Sequence, residues 1–375
     1  MNTSRSIAAV IACAGLAVTA QASSSLTFIT GGPGAPSAQN YGSALSSDGT
    51  KVVGMWGPSG GGPEGAYMWS QAGGFQDVPS LASGGYISPS GVSNNGVVVG
   101  GSTNSSGDTE SFQWSVGGGT LPMGDLDGNF FYSEAAGVSD DGSVIVGTGT
   151  SWVSNEAFRW TQSTGMTGMG TLPGGGYQRS HANAVSGDGS VIAGYGFNSN
   201  DDFEAFRWTD SGGMVGIGIP MGFQGTRTTG ISPGGQYIIG SADHADGMGA
   251  FIWDEVGGMR ALATPDGSMP YKIVFDVSDT GAVVGLVETA SSEVKAAMWD
   301  LAGQLIFLDD LIAGLPGTAD WTPEAALGIS ADGNTILLVG HNAAGDYSSA
   351  LLTIPTPGSA ALMILGGLAA ARRRR

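Results

Sequence analysis

Between residues 40 and 354 the apolar residues fall in short runs, rich in Val, Ile, Phe and Trp and broken by Gly, Asp, Ser and Asn. No run repeats its apolar positions at helical spacing, so the pattern predicts strands of four to six residues joined by tight turns. One stretch shows the unit clearly, with runs at Ala182 to Val185, Ser190 to Tyr195, Glu204 to Thr209 and Gly213 to Ile217. Gly187-Asp188-Gly189 joins the first two as a hairpin, because Asp and Gly tolerate the positive φ of a tight turn. Asp210-Ser211-Gly212-Gly213 joins the last two, with counterparts in Gln71-Ala72-Gly73-Gly74 and Asp254-Glu255-Val256-Gly257-Gly258.

The unit recurs. A segment resembling Ala-Val-Ser-x-Asp-Gly-Ser-Val-Ile-Val-Gly places its serine at Ser46, Ser93, Ser139, Ser186, Ser232, Ser278 and Ser330, with spacings of 47, 46, 47, 46, 46 and 52. A glycine follows each serine by three residues, from Gly49 to Gly333. An apolar tetrapeptide ends in Trp69, Trp114, Trp160, Trp208, Trp253 and Trp299 in the first six copies, and Ala350-Leu351-Leu352-Thr353 takes its place in the seventh. The period gives the six tryptophans equivalent places between neighbouring units and makes Asp48, Asp141, Asp188 and Asp332 turn formers that bond nearby backbone.

Four antiparallel strands in about 46 residues make one propeller blade, and seven blades make a closed ring with only short edges. The ends support closure. Copy seven stops after its third strand, at Ile354, while Leu26-Thr27-Phe28-Ile29 is a spare strand ahead of copy one. That strand is expected to complete the seventh blade, with Phe28 beside Leu351. The fold class is therefore all-β, a seven-bladed β-propeller of four-stranded antiparallel blades closed by the N-terminal strand. A β-solenoid is the alternative, although its coils are usually shorter and need no strand exchange.

Composition narrows the function. The chain has 375 residues, 67 of them Gly, and collagen is excluded because the glycines lack a period of three. Formal net charge is −19, and five of the 13 basic residues, Arg5 and Arg372 to Arg375, lie at the ends. The body therefore carries eight basic against 32 acidic groups, which repels phosphate backbones and anionic headgroups. Nucleic acid is not an expected partner.

The two ends read as addresses. Met1 to Arg5 carries one positive charge, Ile7 to Ala20 is apolar, and Ala20-Gln21-Ala22 is a small-x-small cleavage pattern, so residues 1–22 are expected to be a signal peptide with Ser23 first in the mature chain. A helix packed in the domain, or a lipoprotein box at Val10-Ile11-Ala12-Cys13, are the alternatives. Cys13 is the only cysteine, so removal of the leader leaves no disulfide to stabilise the fold. At the other end, Pro355-Thr356-Pro357 precedes an apolar run, Ser359 to Ala371, and then Arg372, Arg373, Arg374 and Arg375. Thirteen residues at about 1.5 Å each span about 20 Å, short for a bilayer core of about 30 Å. The four arginines would hold that end cytoplasmic. A plain membrane anchor is the alternative to a sorting signal.

Residues 355–375 resemble the PEP-CTERM signal of Gram-negative bacteria, with Thr356 where Glu is usual. The resemblance implies an exosortase-type membrane transpeptidase as partner, transient anchoring through the short helix, and a destination at the cell surface or in the extracellular matrix. Residues 26–354 resemble the HAF extracellular repeat family in the Ser-x-Asp-Gly turn, the Val-Val-Gly strand and the Ala-Phe-x-Trp strand. That resemblance implies an exported repeat protein and brings no catalytic residues. The domain plan is leader 1–22, propeller 23–354 and tail 355–375.

Candidate chemistry sits on loops. In such blades the first-to-second and third-to-fourth turns share one face, and the second-to-third turns and blade-to-blade links share the other. Length varies only in the second set, at 57–65, 104–110, 198–202 and 309–323, so ligands are assigned to that face. Trp56 and Trp152 are read in second-to-third loops and Trp321 in a link, where exposed rings could stack on sugars or anchor a protein. Tyr86, Tyr132, Tyr177, Phe223 and Tyr271 hold places similar to Trp321, a pattern that also suits packing. Trp56, Trp152, Trp321 and Tyr177 are the ligand-face candidates. No cofactor is expected; calcium is the cation such acidic oxygens would suit, and Asp125-Leu126-Asp127-Gly128-Asn129 is the nearest loop, without an EF-hand ladder. His181, His244 and His341 lie in different copies without metal spacing, and no nucleophile elbow or phosphate loop stands out. The expectation is a non-catalytic binding or structural module that meets an extracellular polysaccharide or protein. The alternative, a glycan-cleaving propeller enzyme, would need a carboxylate pair that the spacing does not select.

Overall fold

The computed structural model describes residues 24–244, 247–263, 272–289 and 291–354. Ala20, Ala22, Ser23, Tyr271, Pro355, Thr356, Pro357 and the arginines 372–375 lie outside the described residues. Among the described residues no helix is long and apolar enough to cross a membrane.

The chain forms seven four-stranded antiparallel sheets, each in sequence order from the inner strand outward, except the last. Blade 1 comprises Gln39–Leu45, Lys51–Gly57, Gly65–Ser70 and Gly74–Val78. In blade 4 the strands are Ser180–Val185, Val191–Phe197, Phe203–Thr209 and Gly213–Gly216, within two residues of the ends read from the apolar runs. Blade 7 combines Trp321–Ile329, Thr335–Asn342 and Tyr347–Thr353 with the N-terminal strand Ser25–Ile29 as its outer edge. That strand pairs antiparallel with Tyr347–Thr353, with Thr27 opposite Leu351 and Phe28 opposite Ala350. The closure is as expected, one residue out of the expected register.

The recurring serine explains the hairpin at every inner corner. All seven are buried. In blade 4, Ser186 Oγ accepts the Val191 N–H (3.0 Å) and donates to Asp188 Oδ1 (2.7 Å), which also accepts the Ser190 N–H (2.9 Å). The same set recurs at Ser46, Ser139 and Ser330, while Ser232, followed by Pro233-Gly234, keeps only the accepting half. Gly189 takes φ 73°, a region that L side chains avoid. Hydrogen bonds led by Ser186 hold the Asp188 carboxyl below its ordinary value, and Asp141 and Asp332 are lowered in the same turn.

The Val-Val-Gly strand has an equally local cause. Each inner strand carries a bulge three residues before its serine, as at Asn183 between Ala182 and Ala184. The bulge pushes an inner-strand carbonyl against the second strand. A Cβ on Gly194 would stand 2.0 Å from the His181 carbonyl oxygen, and the other blades give 2.0–2.2 Å at Gly54, Gly100, Gly147, Gly240, Gly285 and Gly340. Only glycine fits.

The core lies between blades. Val53, Ala66 and Met68 of blade 1 pack on Ile87, Val92, Val98, Phe112 and Trp114 of blade 2, and the same layer repeats around the ring. Within Ala-Phe-x-Trp the Phe is the deeper residue: Phe112, Phe158 and Phe206 are fully buried, each contributing about 1.5–3 kcal/mol of transfer free energy. Of the repeated tryptophans, Trp114, Trp160 and Trp299 are buried, whereas Trp69, Trp208 and Trp253 are half-buried. In blade 7 the equivalent residue is Leu352, opposite Ile336 as Trp160 is opposite Ile145.

The seam between blades 7 and 1 is held by a buried amide. Asn40 Nδ2 donates to Ile29 O (2.6 Å) and Gly31 O (3.2 Å), and its Oδ1 accepts the Ser349 N–H (3.0 Å). Ser349 Oγ in turn accepts the Gly42 N–H at 2.8 Å. One side chain thus ties the closing strand, blade 1 and blade 7 together.

Candidate functional site

The two faces of the disc differ in chemistry because they differ in loop length. On the short-turn face, the residues following the seven serines form a ring of hydrogen bonds around the channel. Asn94 N–H donates to Asp140 O, Asp140 N–H to Gly187 O, Gly187 N–H to Pro233 O, Asp279 N–H to Ala331 O and Ala331 N–H to Ser47 O, at 2.7–3.0 Å. Pro233 has no N–H, and there Gly234 N–H donates to Asp279 Oδ1 (2.6 Å) instead. The remaining step is made by Asp48 N–H to Asn94 Oδ1 at 3.0 Å.

Behind this ring the channel holds a cavity of about 220 Å³, walled by the bulge residues Ser43, Ser90, Ala136, Asn183, Thr229, Phe275 and Leu327. That volume falls below the range of small-molecule pockets, roughly 300–1,000 Å³. Asp276 borders it and accepts the N–H groups of Ile329 and Val277, both at 2.8 Å. Burial pushes its carboxyl up to about 7 despite those two bonds. The equivalent places elsewhere hold Ala or Gly, since the side chain there meets the next blade.

The opposite face is built of loop pairs, each blade-to-blade link lying on the second-to-third turn of the following blade. Thr103 N–H donates to Tyr86 O, Gln224 N–H to Asp243 O and Ala343 N–H to Asp320 O. Three turns share one device, in which Asn104, Asn198 and Asn342 accept two backbone N–H groups each through Oδ1. Three glutamates fasten links to strands: Glu110, Glu156 and Glu204 accept the N–H groups of Gly124, Gly170 and Gly218 at 2.9–3.0 Å. Asp125 is used likewise, accepting the N–H groups of Leu126, Thr150 and Tyr132, each at 2.8 Å. Among the described residues no group of three or more His, Cys, Asp and Glu side chains is placed to hold a metal ion.

Exposed rings gather on this face over blades 2 to 4. Trp152 is 68% exposed at the tip of the blade 3 turn, and Phe130 and Phe131 stand on the link beside it, where Asn129 Nδ2 reaches Trp152 O at 3.5 Å. Tyr177 is 62% exposed on the next link, whose Gly176 and Tyr177 N–H groups are held by Asp201. A packed aromatic row runs from there: Tyr177 to Phe197 at 5.3 Å, Phe197 to Phe203 at 4.4 Å, Phe203 to Tyr195 at 5.7 Å and Tyr195 stacked on His181 at 4.8 Å. The Arg227 guanidinium lies 4.1 Å over Phe203 and pairs with Asp243. Burial, with the nearby Arg179 charge, lowers His181 to about 4, so its ring is neutral at pH 7. Burial and a hydrogen bond to Glu134 push Tyr132 up to about 12.

Of the four ring candidates read from the sequence, Trp152 and Tyr177 stand exposed on this face. Trp56 does not lie in a loop: it belongs to the strand Lys51–Gly57 and is half-buried, and a Cβ on Gly32 or Gly65 would meet its ring at 2.8 Å. Trp321 is buried at 7% exposure, edge-on to Phe28 at 5.2 Å, with Nε1 donating to Ser348 Oγ. Both are packing residues at the closure seam. Sequence reading missed Phe197, Phe203, Tyr195 and Arg227; the first two flank the variable turn 198–202, and that placement was the available signal.

No family model and no curated protein matches the chain. Solved structures do. The β-propeller domain of the Trilobed protease from Pyrococcus furiosus, described as having an open velcro topology, is 8% identical, with a TM-score of 0.51 over 86% of this chain and 96% of that one. A structure from a study of two prolyl endopeptidases is 11% identical, with a TM-score of 0.52, over 85% of this chain and 51% of its own. TolB from Acinetobacter baumannii is 14% identical, with a TM-score of 0.44, over 85% of this chain and 79% of that one. At these identities the likeness to the first two is one of fold: the chain is a seven-bladed β-propeller, closed by its own N-terminal strand.

Proposed function

We propose that the chain is an exported, non-catalytic binding module, sorted to the cell surface or extracellular matrix through its C-terminal signal, and that it grips a polysaccharide with its variable-loop face. The observation that carries this reading is the group of exposed rings on adjoining loops, Phe130, Trp152 and Tyr177, with a packed aromatic row behind Tyr177. Flat rings offer sugar C–H faces a large contact at small entropic cost. Four carboxylates of this face, Glu110, Glu156, Glu204 and Asp125, are engaged in holding loops, which favours binding over hydrolysis. The leader and tail supply the route: export, parking in the membrane by the short helix, and processing near Pro355-Thr356-Pro357 by an exosortase-type enzyme.

The test is retention of residues 23–354 on insoluble polysaccharides together with a glycan array. The double variant Trp152→Ala/Tyr177→Ala should lose retention while its stability falls by no more than about 1.5 kcal/mol, the worth of the Tyr177–Phe197 ring contact, since Trp152 is exposed. Equal retention by the double variant, or turnover abolished by one Asp or Glu substitution, would contradict the proposal.

A further inference from the structure

The body of the chain has eight basic side chains against 32 acidic ones, and most of the eight are engaged. Lys51 and Lys272 are bonded to backbone carbonyls, and Arg227, Arg260 and Lys295 pair with carboxylates. Only Arg179 and Arg260 are exposed, so among the described residues Arg179 is the one exposed cation without a carboxylate partner. It stands at the start of blade 4, two residues after Tyr177 and just ahead of the inner strand Ser180–Val185. Its carbonyl accepts the Phe197 N–H at 3.4 Å, which holds its backbone to the end of the second strand.

A hydroxyl and a second guanidinium stand nearby. Tyr195, on the second strand of blade 4, feels the charges of both Arg227 and Arg179; burial pushes its hydroxyl up and the two charges pull it back. That hydroxyl makes no hydrogen bond to any described residue and is not closed off from solvent. The carboxylates around it are already bonded: Asp243 pairs with Arg227, Asp201 accepts the N–H groups of Gly176 and Tyr177, and Glu134 accepts the Tyr132 hydroxyl at 2.8 Å. His181, stacked on the Tyr195 ring, is neutral at pH 7 and adds no charge.

The chemistry of the ligand follows from these donors. A guanidinium is donor only, and an accessible, unpaired one beside a free phenol calls for an anionic acceptor. Its planar fork matches a carboxylate in two parallel bonds. The excess of acids over bases limits how many such charges can come: a continuous polyanion is repelled, whereas a single charge set more than about 8 Å from the next is largely screened at physiological salt. One free guanidinium serves one carboxylate, and the exposed ring of Tyr177 offers a surface to the sugar that carries it. We infer that blade 4 holds a subsite for a single uronate unit of an otherwise neutral polysaccharide, its carboxylate taken by Arg179 and the Tyr195 hydroxyl. The inference rests on the polysaccharide reading above and names the sugar that this face selects.

The test is calorimetric titration of the full chain with glucuronoxylan oligosaccharides and with the same oligosaccharides after reduction of the carboxylate to a hydroxymethyl group, which removes the charge and keeps the ring. The acidic form should bind about tenfold more tightly or better, and about 0.5 M NaCl should erase most of the difference. Arg179→Gln should bring the acidic form down to the level of the reduced one and leave the reduced one unchanged. Arg179→Lys should recover part of the preference, as a point charge without the fork. Tyr195→Phe should weaken the acidic form alone, whereas Trp152→Ala/Tyr177→Ala should weaken both forms. Equal binding of the two forms, or a preference that survives Arg179→Gln, would overturn the inference and leave the polysaccharide reading standing. Tighter binding of polygalacturonate, a continuous polyanion, or of a sulfated xylan would overturn the single-uronate class. Binding of neither form would also overturn the inference, and retention on neutral polysaccharides then decides whether the polysaccharide reading falls with it.

Discussion

Gly194→Ala isolates the packing rule that the seven Val-Val-Gly strands share. The new Cβ would stand 2.0 Å from His181 O and 2.5 Å from Phe206 Cζ, whereas real Cβ atoms essentially never approach within 3.0 Å. The carbonyl must therefore retreat by about 1 Å, and it has little room: the bulge at Asn183 fixes the strand, and His181 Nδ1 is 3.0 Å from Thr148 Oγ1 of blade 3. Phe206 is fully buried and cannot swing away. Overpacking of this kind costs about 1–3 kcal/mol, and two rigid obstacles put Gly194→Ala near the top of that range. With a urea slope of about 3 kcal/mol/M, a loss of about 2–3 kcal/mol lowers the unfolding midpoint by about 0.7–1 M. Gly62→Ala is the control, since a Cβ there meets nothing within 4 Å. It should leave stability level or raise it by about 0.4–1 kcal/mol through the unfolded chain. Midpoints for the two variants within about 0.1 M of each other would refute the steric account.

Two further outcomes follow from single residues. Asn40→Ala strands the Ser349 N–H and the Ile29 carbonyl, at about 1–3 kcal/mol for each buried group left unpaired, and hydrogen exchange should rise selectively in Ser25–Ile29 and Tyr347–Thr353; uniform exchange around the ring would contradict the role of the seam. Asp276 stays protonated in the folded state up to about pH 7 but ionises near its ordinary value of 3.8 when unfolded, so its contribution weakens as pH rises from about 4 to about 7 and is level above that. Asp276→Asn should flatten stability against pH in that window, and an unchanged slope would rule Asp276 out as its source. Asp141, Asp188 and Asp332 have the opposite sign, their contribution being lost only as pH falls below their ordinary range, so the windows separate.

The blade count and the strands were legible because each rests on local chemistry repeated seven times, and the exchange of the N-terminal strand because copy seven lacks a fourth strand while a spare one precedes copy one. The Ser-x-Asp-Gly turn is such a case: its hydrogen bonds all fall within five residues, so the motif and the structure are nearly the same statement. Register was less legible. Blade 7 carries two bulges, at Pro323/Ala325 and Ala326/Gly328, and its third strand has no Trp to mark the place held by Leu352. Trp56 was misplaced because its strand runs on to Gly57, while the contacts that bury it come from Gly32 and Gly65, which apolar periodicity does not reveal. The aromatic row joins residues from separate strands and loops, so no spacing along the chain announces it.

Ring closure is tested most directly by a disulfide across the seam. Ser25 and Thr353 are opposed in the sheet and both exposed, and directly paired residues in antiparallel strands lie about 4.5–5.5 Å apart, within disulfide reach. In a Cys13→Ser background, Ser25→Cys with Thr353→Cys should oxidise within one chain, seen as a linked pair of N- and C-terminal peptides by mass spectrometry, whereas Ser25→Cys with Leu351→Cys should not. Failure of the first pair, links only between chains, or equal linking by both pairs would contradict a propeller closed by its own first strand.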